Sequence, residues 1–191
     1  MAISLHNSPP RMTAVSGTAL AHVGAIAILL LLTAWALRFH FEMPAVPLIW
    51  AASAVALAAA FRVGSSATVT VALAVAAVHL YRGTDPVSAL VLATGTALAG
   101  WLGACLLRHW HFSADFGRVH DVGVLLLAGC VVAAGIGALA ATTIMTGGAA
   151  GFGETFLLCW VSETMGMLLV APFLLTAHWP SARPDLETLG W

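Results

Sequence analysis

The sequence predicts an all-α fold, a polytopic transmembrane helical bundle of about six spans, and three observations carry that expectation. Of 191 residues, 61% are hydrophobic and only 8% are charged, where a soluble domain carries about 25% charged residues. The apolar residues gather into runs, several of them near the roughly 20 residues that a helix needs to cross a bilayer. The charges fall mostly between those runs, as single arginines and acids, with no lysine anywhere in the chain.

Each element follows from where the runs start and stop. Residues 1–16 are polar and contain Pro9, Pro10 and Arg11, so they read as a tail, and Thr18 to Leu37 is the first span. Ala34-Trp35-Ala36 has the small-x-small form of a signal cleavage site, but the apolar run before it is too long for a usual signal core. Pro44 and Pro47 precede the second run, Leu48 to Phe61; Arg62 to Ser66 forms a turn, and Ala67 to Tyr81 is the third. Both are short for a crossing unless Arg62 and Arg82 extend them by snorkelling. Thr68 to Val71 favours a strand in water, yet a lone strand in lipid leaves its backbone unpaired, which selects a helix.

The fourth span has the clearest ends. Asp85 or Thr84 caps it, Pro86 stands at a first helical position, apolar residues run from Val87 to Leu107, and Arg108 stops it. Residues 108–121 are the most polar interior segment and read as a loop or interfacial helix, with Trp110, Phe112 and Phe116 available to the membrane surface. The fifth span covers Val122 to about Thr146, with His120-Asp121 at its start, where Asp121 can cap the helix. After the glycine-rich Gly147 to Gly153, the sixth span runs from about Thr155 to Ala177. The chain thus divides into a tail over 1–16, a transmembrane domain over 17–178, and a second tail or linker over 179–191.

Arginines assign the sides. Arg11, Arg62, Arg108, Arg118 and Arg183 fall on one side of six alternating spans, Arg38 and Arg82 on the other, which places both termini in the cytoplasm. Net charge near zero, with cations spaced singly, excludes a nucleic-acid surface. Cys105, Cys130 and Cys159 lie in apolar runs without metal spacing, so neither a disulfide framework nor a metal site is expected. His22 and His79 stand near opposite ends of their spans and offer no facing pair for haem; no cofactor is expected. The sequence has no GxSxG, GxxxxGK or HExxH pattern, and catalysis has no support.

Glu163 is the anomaly. It stands inside the sixth span, in Cys159-Trp160-Val161-Ser162-Glu163-Thr164-Met165-Gly166, where a carboxylate costs about 2.5 kcal/mol or more and needs a partner or a cavity. A purely structural role in helix packing stands beside a role in ligand contact or signalling. Trp160 lies one turn away at i, i+3. Gly95, Gly100, Gly103, Gly129, Gly135 and Gly137 supply small faces for close helix packing.

The order of these features resembles the MASE1 family of bacterial integral membrane sensor domains. Three stretches carry the resemblance: Gly95 to Arg108, a small-residue helix ending in Leu106-Leu107-Arg108; Phe116 to Val122, where His120-Asp121-Val122 is similar to the family's Arg-Asp-Val; and Trp160 to Pro172, where Ser162-Glu163 to Pro172 is similar to its Gly-Asp-x-x-Gly-x-Leu-x-x-x-Pro. Together they span roughly residues 45–180. The family's Trp-Pro-x-x-Gly signature is here Trp50-Ala51-Ala52-Ser53, and its aspartate is Glu163. The resemblance implies a sensory input domain for a small molecule or partner protein, joined to a cytoplasmic histidine kinase or cyclase output module. Glu163, Trp160, Ser162 and Trp50 are then the ligand-binding or signalling residues, and Asp121 and Asp85 structural caps. The expected partners are the lipid bilayer, the ligand, the output module and a second copy in a homodimer. A rival of another class, a substrate-binding membrane subunit of a small-solute uptake system, suits the same size and helix number.

Overall fold

The computed structural model describes residues 49–145 and 151–177. The expected first span, both tails and residues 146–150 lie outside them. The described residues are helical and contain no strand: α1 (Ala52–Arg62), α2 (Ser66–Tyr81), α3 (Pro86–His109), α4 (Val119–Met145) and α5 (Phe152–Thr176). Three of the five, α3, α4 and α5, are long and apolar enough to cross a membrane. The Thr68 to Val71 stretch is helical, as the lipid argument requires.

The turns follow their residues. Gly64 takes φ +126° between α1 and α2, a conformation that side chains disfavour. Asp85 caps α3, its Oδ1 accepting from Val87 N at 3.1 Å and Ser88 N at 3.0 Å, with Pro86 at the first helical position. Those Ser88 and Val87 donors hold the Asp85 carboxyl below its ordinary range. At the far end of α3, Arg108 reaches across to α1, donating to the carbonyls of Ala60 and Phe61 and lying over the Phe61 ring. It therefore satisfies the orphan carbonyls at the end of another helix.

The polar segment that follows folds onto the bundle as a loop instead of forming an interfacial helix. Phe112 is buried and packs edge-on against Phe61 and Phe116, with centroids 5.6 and 5.3 Å away. His111 and Phe116 both hold positive φ, at 54° and 51°. Asp121 corrects an expectation. Arg118, not Asp121, occupies the cap position of α4, and the buried Asp121 carboxylate turns back to accept from the backbone N–H of Ser113 at 3.1 Å. It fastens the loop to the helix, because the loop N–H lies within its reach.

α1 is the centre of the bundle. Eight of its eleven residues are buried, so it is covered on all sides rather than along one stripe. Alanines let its neighbours come close. On α3, Gly100 lies against the Ala56 backbone, Gly103 against Leu57 and Ala133, and Gly95 against Ala140, leaving no room for a methyl group at Gly95 or Gly100. α3 runs antiparallel to α4 along that seam.

α1 differs from the expected full span. Eleven helical residues extend about 16 Å, roughly half the hydrocarbon thickness. Its start lies beside the middle of α5: Trp50 N donates to the Ser162 carbonyl at 3.1 Å, and the Trp50 carbonyl fits against Gly166, where no Cβ has room. The non-helical residues just before α1 lie against α5.

Gly100→Ala is expected to lower stability by about 1–3 kcal/mol, because the added methyl meets Ala56 backbone that cannot swing aside. Gly135→Ala, with open space around it, is expected to be neutral. Denaturant unfolding in mild detergent compares the two, and equal effects would contradict the close packing described.

Candidate functional site at the middle of the bundle

The buried stripe of α5 comprises Thr155, Cys159, Ser162, Glu163, Gly166, Met167, Ala171, Leu174 and Leu175, the i, i+3, i+4 recurrence of one helical face. Glu163 sits within it at 4% exposure. Its carboxyl rests on Gly137 of α4, which has no space for a Cβ. On the other side it faces Ser53 in the first turn of α1. Ser53 is fully buried. The two stand close without closing a well-formed hydrogen bond: Ser53 Oγ and Glu163 Oε2 both lack a partner among the described residues.

The first turn of α1 adds donors. A helix start leaves its first N–H groups without intrahelical acceptors, and no side chain caps this one at Ala51. The positive end of the α1 dipole therefore sits in the bundle interior beside the Glu163 carboxyl. Ala52, Ser53 and Ala54 are all buried, so protein surrounds this helix start.

Of the sequence-predicted residues, the structure brings Ser162, Trp50 and Glu163 together. Ser162 lends its carbonyl to Trp50 N, and the Trp50 ring lies 5.6 Å from His79 of α2 at 34°. His79 Nε2 is buried without a partner among the described residues. Trp160 goes elsewhere. Its Nε1 donates to the Cys130 carbonyl at 2.9 Å, joined by Thr164 Oγ1 at 3.4 Å. That carbonyl belongs to π-helical turns over Leu126–Ala133 within α4, where i→i+5 bonding disturbs the regular ladder. Trp160 therefore ties α5 to an irregular stretch of α4 instead of serving the carboxyl.

Sequence reasoning missed Ser53 as a neighbour of Glu163, and the π turns altogether. A hydroxyl in the alanine-rich start of α1 was the available signal for Ser53. Nothing in Leu126 to Ala133, a run of ordinary apolar residues, announces a π-helix. Among the described residues no group of three His, Cys, Asp or Glu is placed to hold a metal.

The described residues form a helical bundle in which one of the two buried acids, Glu163, lies inside an apolar helix where the short helix α1 begins, and such an acid marks a candidate site. The family model that matches is MASE1, over residues 19–186. The chain belongs to this family of membrane-associated sensor domains. Comparison with curated proteins and with solved structures gave no match.

Trp160→Phe keeps the aromatic volume and removes one donor. It is expected to cost about 1–2 kcal/mol, through a buried carbonyl left with a single long hydrogen bond from Thr164. Thermal unfolding in detergent measures the loss, and an unchanged midpoint would show that the Cys130 carbonyl finds another donor.

Proposed function

We propose that this MASE1 domain detects a small molecule or a membrane partner protein through the cluster around Glu163 and passes a helix shift to a cytoplasmic histidine kinase or cyclase module. In this reading it crosses the bacterial inner membrane six times with both termini inside, the second and third crossings being completed by the short helices α1 and α2 with their flanking chain. The arginine distribution supports that orientation, and residues 179–191 form the link to the output module.

The observation that carries the reading is the buried Glu163 carboxyl beside the uncapped start of α1. A ligand shifts an equilibrium only by interacting differently with two states, and a buried acid between three helices offers such a difference. Ser162 and Trp50 hold the start of α1 against α5; Trp160 fixes α5 to α4. A homodimer would let two output modules meet. The uptake-subunit alternative gains no support from the family match, and no feature of the site favours it.

Two measurements test this. Residues 1–191 fused to a cyclase catalytic domain are expected to change product formation several-fold on Glu163→Gln, with equal amounts in the membrane. A plain membrane anchor fused to the same domain supplies the baseline, and indistinguishable behaviour would refute the sensor role. A periplasmically active phosphatase joined after Pro184 is expected to be inactive, and activity there would overturn the orientation.

A further inference from the structure

We propose that the ligand read at this site is a proton, bound and released at the Glu163 carboxyl, whose charge then sets how firmly the start of α1 is seated. The inference rests on the sensor reading above and names its input.

Enclosure comes first. The carboxyl lies directly on Gly137, Gly166 has no room for a methyl group beneath the Trp50 carbonyl, Glu163 is almost wholly buried and Ser53 has no exposed surface. A carboxyl enclosed in this way among the described residues can exchange a proton without displacing protein. Among the described residues no arginine is set against the acid. The described arginines stand at helix ends: Arg62 ends α1, Arg82 follows α2, Arg108 lies near the end of α3, and Arg118 precedes α4. Facing groups from each packed element complete the inventory. α1 presents Ser53, and α4 presents Gly137. α5 itself adds Cys159 one turn away, and α2 brings His79 as far as the Trp50 ring. Asp85 and Asp121 lie at the starts of α3 and α4, away from the site.

Both protonation states have partners in the same place. An ionised carboxylate faces the Ser53 O–H and the positive end of α1, donors and dipole that favour a negative charge. A protonated carboxyl can instead donate its O–H to Ser53 Oγ, which leaves the first turn of α1 without a counter-charge. The balance is Glu–COO⁻ plus H⁺ giving Glu–COOH, the proton coming from and returning to water. Protonation thus weakens the electrostatic hold of α5 on α1, and the Trp50–Ser162 bond and the Gly166 contact are the links that loosen with it.

The test uses the full chain in lipid vesicles, with infrared difference spectra recorded from about pH 5 to 9, the range a buried glutamate can reach. A carboxyl C=O band should appear on acidification, vanish in Glu163→Gln, and persist in Asp121→Asn, which removes the other buried acid. In the cyclase fusion, output should change several-fold across that range in the parent and be flat in Glu163→Gln. Should that variant fail to accumulate, Ser53→Ala, which removes the partner of both states, should displace the pH profile. Absence of a Glu163-dependent band overturns the proposal, as does a pH response unaltered by Glu163→Gln or Ser53→Ala. A fusion that controls output but ignores pH overturns the proton and leaves the sensor reading; one that behaves as a plain anchor overturns the sensor reading itself.

Discussion

A helix that starts inside a membrane domain must find protein partners for its first N–H groups, since lipid supplies none. Much of the arrangement depends on where α1 starts and on what surrounds it. It is surrounded by other helices, its start held by the Trp50–Ser162 backbone bond and its last carbonyls taken by Arg108 of α3. Both of its ends are therefore secured from other elements, and its alanines allow three neighbours to approach at once. A bulkier helix in this position would hold α3 and α5 further from α1.

The acid follows from the same geometry. Glu163 can be tolerated because its surroundings are polar by arrangement rather than by charge: the α1 dipole, the Ser53 hydroxyl and the bare backbone at Gly137 replace a cation. Gly137 and Gly166 act together, one admitting the carboxyl and the other the Trp50 carbonyl, so α5 lies close to α4 and to the chain before α1. The Trp160 and Thr164 donors hold the next turns of α5 against the π segment of α4. α5 is thus tied both to the chain before α1 and to α4.

The loop between α3 and α4 shows the same economy at the bundle end. Its aromatic residues, legible as interfacial in sequence, divide their work: Phe112 enters the core, Phe116 packs on it, and Asp121 holds the loop backbone at Ser113. A carboxylate one turn into a helix reaches a neighbouring loop as readily as its own N–H groups, and sequence position alone does not separate these outcomes.

By itself, the sequence determined the helical membrane character, because scarcity of charge and the length of apolar runs are properties of composition. It also determined the start of α3, where Asp85 and Pro86 act within three residues of each other, and it singled out Glu163, since an acid inside an apolar run is anomalous wherever it folds. Only the tertiary structure decided where α1 begins, what Glu163 faces and which way Trp160 points. Those depend on contacts such as Ser53 with Glu163, Gly166 with Trp50 and Cys130 with Trp160, between residues far apart in the chain. Periodicity reports the face a residue occupies, whereas its partner is chosen by how close two backbones can come.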